Sequence, residues 1–297
     1  MALPVEQVPL TVRIKMAHAQ LQWVADVEGV PLLHIKGTAL DDVLKAPGRE
    51  GSDADILVHP SSAERFCTVL QRYGWKLGTR FTTGSSFEHA ATLRHEELGW
   101  ADVHRLYPGF GVPAEEAFEV LWRERHTVSI AGRACDVPSV AAQALILVLH
   151  AARSPHSNWA AVDLQYAWST ADPGQREEVL HLVDRLDAHV GFAAATGRLE
   201  SYRSHPDYLL WKVASQGGTR LEEWRARLRA TPGVRRKALL VARAPLVNRD
   251  HLATVLWREP TRTEMVTEFF ARPLRGIRDE TRAWRQRHPR RPSEDRR

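Results

Sequence analysis

The sequence predicts an α+β fold in which an N-terminal mixed sheet flanked by helices is followed by an all-helical C-terminal domain. Three observations lead there. Over residues 1–137, short apolar runs suited to strands alternate with segments of helical periodicity, and glycine-containing turns separate them. From Pro138 the strand signals stop, and apolar residues recur at spacings of three and four. The final stretch, 286–297, is rich in arginine and proline with no apolar face to bury, and reads as a disordered basic tail. The predicted domains are therefore 1–137 and 138–285, with the tail at 286–297.

The elements follow in chain order. Residues 5–28 read as a helix with an apolar stripe of Val8, Val12, Met16, Ala19, Trp23 and Val27, ended by Gly29. Val30–Ile35 suits a buried strand, and Thr38–Lys45 a short helix. Pro47, Gly48 and Gly51 make 46–52 a loop, after which Ala54–His59 is again strand-like. Ser61 and Glu64 match a capping box, opening a helix with Phe66, Val69, Leu70 and Tyr73 on one face. Residues 75–81, 88–94 and 99–105 read as strands, and Pro113 opens a helix through Glu124. Residues 127–131 and 133–137 read as a hairpin around Gly132. Helices are expected at 139–152, 157–170, 174–189, 206–215, 219–231 and 234–246, with Thr219 and Glu222 forming a second capping box.

Composition narrows the function classes. At 297 residues, 43% hydrophobic and 26% charged, the chain can build a sizeable core, which excludes wholesale disorder. Two cysteines, Cys67 and Cys135, exclude a disulfide scaffold and a four-cysteine zinc site. The most apolar stretch, Val140–Ala152, is too short for a membrane span and contains Gln143 and His150. The opening residues lack the basic and apolar regions of a secretory signal, so a cytoplasmic location is expected. The net charge of +5 comes from one end: residues 257–297 hold 12 Lys+Arg against 7 Asp+Glu, and the remainder is balanced. A solvated helix and tail account for this surplus. The alternative is an acidic partner drawn to Arg272, Arg275, Arg278 and Arg282.

The chemistry concentrates in His34–Val58. A strand ends in Lys36-Gly37-Thr38, a loop carries Arg49, and a second strand begins with Asp53-Ala54-Asp55. Alternation in a strand puts Asp53 and Asp55 on one face, where two carboxylates repel unless a cation lies between them. Magnesium suits such a pair, since it takes one or two carboxylates and completes its shell with water and phosphate oxygens. Gly37 lets a phosphate approach the backbone, the following helix aims free amides at it, Thr38 adds a hydroxyl, and Lys36 and Arg49 add charge. Asp102 supplies a third carboxylate, on the same strand face as His104.

These motifs resemble the nucleotidyltransferases of the DNA polymerase beta superfamily, and specifically a poorly characterised bacterial family of similar size. The matching residues are Lys36-Gly37, Arg49, Asp53-Ala54-Asp55 and Asp102-Val103-His104. Ala54 replaces the more usual isoleucine at a core-facing position, and Thr38 replaces serine or glycine. The resemblance extends to His150, Trp159 and Asp163 in the helical half. It implies two magnesium ions, with manganese as a substitute, held by Asp53, Asp55 and Asp102. It also implies a nucleoside triphosphate, ATP by abundance, bound by Lys36, Gly37, Thr38 and Arg49, with the base stacked on Trp159. His104, His150 and Asp163 would support these groups. Nucleoside monophosphate would pass to a hydroxyl or phosphate of a small molecule, peptide or protein, releasing pyrophosphate. A membrane or nucleic-acid partner is not expected. The other readings are a non-catalytic nucleotide-binding regulator of the same fold and a nucleic-acid-binding protein using the basic end.

Other signals are weaker. His89, His95, His104, His150 and His156 form no tight zinc-ligand motif. Cys67 reads as a core residue, and Gly217-Gly218 as a turn between helices.

Overall fold

A computed structural model describes residues 8–84, 87–243 and 260–287, with five single residues between the last two stretches. The chain divides into two compact units, Met1–Leu199 and Glu200–Arg297. The change from strands to helices at 137/138 falls inside the first unit.

In the first unit α1 spans Leu10–Glu28 and ends at Gly29, whose φ of +61° suits a residue without a side chain. A five-stranded sheet follows: β1 (Leu32–His34), β2 (Ala54–Val58), β3 (Trp75–Thr79), β4 (Ala90–His95) and β5 (Gly99–His104). Its spatial order is β1-β2-β5-β4-β3, with β2 and β5 parallel and the other pairs antiparallel. This is the mixed sheet that the sequence predicts. Between β2 and β3 lies α2 (Pro60–Leu70), and Phe81–Gly84 forms one helical turn, α3, after β3.

The sheet's two faces differ in chemistry. Ala54, Ile56 and Val58 of β2, Ala101 and Val103 of β5, and Ala91 and Leu93 of β4 join one buried apolar cluster with α1 and α2. Phe66, Cys67, Val69 and Leu70 of α2 lie in it, as the sequence suggests. The opposite face carries Asp55, Asp102 and His104, because Asp55 pairs in register with Asp102 and residues two apart share a face.

The rest of the first unit is helical apart from one hairpin. α4 (Ala114–Arg123) precedes the hairpin β6 (His126–Ile130) and β7 (Arg133–Val137). Then come α5 (Val140–Arg153), α6 (Ala160–Leu164), a π-helical turn (Gln165–Ser169), α7 (Pro173–Arg185) and α8 (His189–Ala195). α5 is buried on nearly every side and ties to the sheet region by polar bonds. Gln143 Oε1 accepts from the Asp41 amide at 2.7 Å, Gln143 Nε2 donates to Pro138 O at 2.8 Å, and Tyr107 OH donates to Ile146 O at 3.0 Å.

Several expectations need correction. The stripe foreseen on α1 is the wrong one: Val12, Met16, Trp23 and Val27 are 42–58% exposed, while Ile14, Ala17, His18, Leu21, Gln22, Val24 and Ala25 are buried. Two polar side chains lie on the true inner face, so apolar periodicity alone points elsewhere. The helix foreseen over Thr38–Lys45 is two separate 3₁₀ turns, Gly37–Ala39 and Asp42–Leu44. Leu40 and Asp41 between them are extended, because the Asp41 amide is held by Gln143 and its carboxylate caps Val43 N at 3.0 Å. The capping box at Ser61 and Glu64 does not form. Pro60 takes the first helical position and His59 precedes it without a side-chain cap.

The second unit contains α9 (Tyr208–Gln216), α10 (Arg220–Ala230), α11 (Val234–Arg243) and a 26-residue helix, Arg262–Arg287. The Thr219–Glu222 capping box is present. Phe269 and Phe270 of the long helix are 41% and 66% exposed. The tail from 288 lies outside the described residues. No helix among the described residues is long and apolar enough to cross a membrane.

The corrected face of α1 is open to a direct test. Leu21→Ala should cost about 2–5 kcal/mol in urea unfolding, from the lost side chain and the cavity left behind. Val12→Ser should cost less than about 0.5 kcal/mol. Equal costs would restore the exposed stripe as the packing face.

Candidate active site

Of the three carboxylates predicted to hold the metal, Asp55 is the most enclosed, 4% exposed. It lies on β2 beside Asp102 of β5, held there by the parallel pairing. Lys36 Nζ lies 2.8 Å and His104 Nε2 2.9 Å from the same Asp55 oxygen. Burial alone would raise the Asp55 pKa, but Lys36 and His104 hold it well below the usual carboxylate range. Lys36 is itself buried, which would lower its pKa, yet Asp55 carries it above the ordinary value. His104 donates through Nε2, so in the neutral ring Nδ1 carries no proton, and that buried atom has no hydrogen-bond partner.

The other two carboxylates differ. Asp102 Oδ1 accepts from Thr92 Oγ1 at 2.7 Å, across the β4–β5 pairing. Asp53 stands just before β2, accepting from Ser52 Oγ at 3.0 Å. The charge of Asp55, with burial second, pushes the Asp53 carboxyl up to about 7, and Asp102 adds to this. This is the repulsion expected of an Asp-x-Asp pair without a cation between its members. Ligand atoms of Asp55, Asp102 and His104 lie within 4.8 Å of one another, close enough for one ion to reach all three.

Gly37 and Thr38 occupy the turn after β1. Gly37 has a φ of +64°, and its Cα sits so near Gly51 that a side chain on Gly51 would meet it at 3.3 Å. The loop 46–52 is thereby drawn onto the Gly37 turn. The helix N-terminus foreseen here is absent, so backbone amides of a single turn replace the extended dipole. Gly37, Thr38 and Arg49 line a cavity of about 600 Å³, together with Lys15, Lys45 and residues 128–131 of the β6–β7 hairpin. The hairpin packs under the turn through Ile130, Cys135 and Val137 around Ala39. Sequence reading assigns it no part in the site.

Arg49 and Asp163 meet. Arg49 Nη2 donates to Asp163 Oδ2 at 2.7 Å, and Arg49 Nε donates to Oδ1, forming a bidentate pair with both side chains enclosed. The Arg49 charge is thus already matched within the protein. Trp159 is half-buried at the start of α6. Among the described residues, no ring contact or hydrogen bond joins it to the carboxylates.

Several polar neighbours of these groups escaped sequence reading. Thr92 orients Asp102. Arg153, at the end of α5, donates to His89 Nε2 at 2.9 Å and to His150 Nδ1 at 3.3 Å. Burial, then Lys36 and Arg153, push the His150 pKa down to about 2; burial, His104 and Arg153 lower that of His89. Behind the sheet, His18 and His34 approach through their Nδ1 atoms at 2.7 Å, and His34 Nε2 donates to Gln22 Oε1 at 3.0 Å. That bond fixes His34 Nδ1 as the acceptor and His18 Nδ1 as the donor. The enclosed His18 ring, pushed down to about 4 chiefly by burial, stays neutral.

Residues 14–200 match the family described as uncharacterised nucleotidyltransferase, well over half of the chain. The chain belongs to the uncharacterised nucleotidyltransferase family. No curated protein matches it in sequence. Among solved structures, an antigenic nucleotidyltransferase-like protein from Paracoccidioides brasiliensis shares 17% identity, covering 61% of this chain and 93% of its own, with a TM-score of 0.38. The antibiotic-resistance factor ANT(2'')-Ia shares 15% identity over 65% and 95%, with a TM-score of 0.36. The lincosamide antibiotic adenylyltransferase LnuA, lincomycin-bound, shares 16% over 53% and 96%, with a TM-score of 0.35. The family assignment rests on the family match.

Two outcomes follow from this geometry. Arg49→Met should destabilise the protein by about 3–5 kcal/mol in urea unfolding, because it strands the buried Asp163 charge. A cost under about 1 kcal/mol would mean that the pair is not enclosed. For Asp53 the folded pKa is raised, so between pH 4 and 7 the folded state holds a proton that the unfolded state has released. Its contribution to stability therefore falls as pH rises through that window. In metal-free buffer, Asp53→Asn should melt higher than wild type at pH 8 and alike at pH 4. No gain at pH 8 would contradict the repulsion.

Proposed function

We propose that the chain transfers a nucleoside monophosphate from a nucleoside triphosphate, ATP in the first instance, to a hydroxyl or phosphate acceptor on a small molecule, peptide or protein. The observation that carries this is the register pairing of Asp55 with Asp102 on one sheet face, with Asp53 one residue ahead of β2 and destabilised by its neighbour's charge.

The donor set fits a hard divalent ion. It offers carboxylate oxygens, and an excess of negative charge that leaves Asp53 poorly ionised. Asp53, Asp55 and Asp102 would hold magnesium, or manganese in its place; His104, being an imidazole, suits manganese better as a direct ligand. When bound, the ion supplies charge neutralisation at the transferring phosphoryl group.

The remaining work belongs to the chain. The acceptor oxygen forms a bond to the α-phosphorus, the bond from that phosphorus to the β-bridging oxygen breaks, and pyrophosphate leaves. Asp102, oriented by Thr92, takes the acceptor's proton. His104 and Lys36 hold Asp55 as a fixed anion rather than reacting themselves. Gly37 and Thr38 receive the phosphate chain at the edge of the cavity. Arg49 braces the loop through Asp163.

The test is incubation with each labelled nucleoside triphosphate and magnesium, scoring pyrophosphate release and self-labelling. Asp55→Asn would leave the buried Lys36 without its carboxylate, so Asp102→Asn is the cleaner variant: its amide oxygen still accepts from Thr92. It should lower turnover by at least about 10³-fold with unchanged circular dichroism. Turnover within a few-fold of wild type would remove Asp102 from the reaction.

A further inference from the structure

We propose that Arg153 is the cation that grips the polyphosphate chain of the donor nucleotide, held ready by two neutral imidazoles. The inference rests on the nucleotidyl-transfer reading above and adds a binding residue to it.

Two cations of this region are already matched within the protein. Lys36 is paired with Asp55 and Arg49 with Asp163. Arg153 differs: among the described residues no carboxylate lies within ion-pairing distance of it. Its guanidinium is partly buried and lies 5.7 Å from the Tyr107 ring centroid. Two of its five N–H groups go to His89 and His150. A guanidinium can only donate, so both facing imidazole nitrogens are unprotonated acceptors. The low pKa values of both rings agree with this.

Neutral acceptors orient a guanidinium without neutralising it. A half-enclosed cation left in this state is ready for an anion, and a planar fork suits two phosphate oxygens at once. Arg153 is also near the reacting groups. The His89 ring lies 5.2 Å from that of His104, and His104 holds Asp55 at 2.9 Å. The charge of Arg153 is felt at Lys36 and at Tyr107. The polyphosphate would therefore pass between the carboxylate group and Arg153 at the end of α5. Pyrophosphate, once released, would leave from the same guanidinium.

The experiment compares wild type with Arg153→Met and Arg153→Lys, at fixed magnesium. Calorimetry measures binding of ATP, inorganic tripolyphosphate and adenosine, and kinetics separates KM from kcat. Arg153→Met should weaken ATP and tripolyphosphate roughly ten- to hundredfold and leave adenosine unchanged, while Arg153→Lys recovers part of the loss. KM for ATP should rise more than kcat falls. Should Arg153→Met fail to fold, Arg153→Gln keeps donors and most of the volume without the charge, and the same loss is expected. Equal tripolyphosphate affinity in wild type and the folded neutral variant overturns the role of Arg153 and spares the nucleotidyl-transfer reading. A wild type that binds neither ATP nor tripolyphosphate overturns both.

Discussion

The enclosed carboxylate of Asp55 is the constraint on which the rest of the site depends. A buried anion is tolerated only when its charge is matched and its lone pairs are filled. Here a buried lysine and a buried histidine converge on one of its oxygens. That demand fixes the segment just after β1, where Lys36 sits, and the end of β5, where His104 sits. Because Asp55 stays ionised at such cost, its neighbour Asp53 cannot easily do the same. The asymmetry between the two aspartates is therefore a product of the packing, and the proposed divalent cation would relieve it.

The sheet's division into two faces delivers this arrangement. β2 and β5 run parallel in a register that sets Asp55 beside Asp102 and Ala54 beside Ala101. One face merges with α1 and α2 into an apolar core, and the other keeps charged groups at fixed spacing. A slip of one residue would bury the carboxylates under α1, so the core packing that stabilises the unit also holds the chemistry in place. The loop 46–52 and the β6–β7 hairpin then close around Gly37, through contacts that a larger side chain at Gly51 would disturb.

Much of this was legible in the sequence, and what was not has physical reasons. Strand alternation is a local property, so the shared face of Asp102 and His104 and the inward side of Ala54 could be read directly. The α1 stripe misled because the buried face includes His18 and Gln22, whose partners on β1 and beyond are invisible to periodicity. The short helix after Gly37 failed for a similar reason: a glutamine 102 positions away holds Asp41 extended. Arg49 and Asp163 were each singled out, but their pairing joins residues 114 apart. Arg153 carried no signal at all, since an arginine at a helix end looks like an ordinary C-terminal charge.

The proposed cation site at Asp55 and its neighbours would owe its affinity to unrelieved negative charge. Manganese binding, followed by the loss of the free-ion paramagnetic resonance signal at pH 8, tests it most directly. The account predicts saturable binding to wild type, competition by magnesium, and binding that weakens as pH falls below about 7 and Asp53 takes up its proton. Binding to Asp53→Asn should lose that pH dependence. Manganese binding that is absent, or equally strong at pH 5 and pH 8 in wild type, would contradict it.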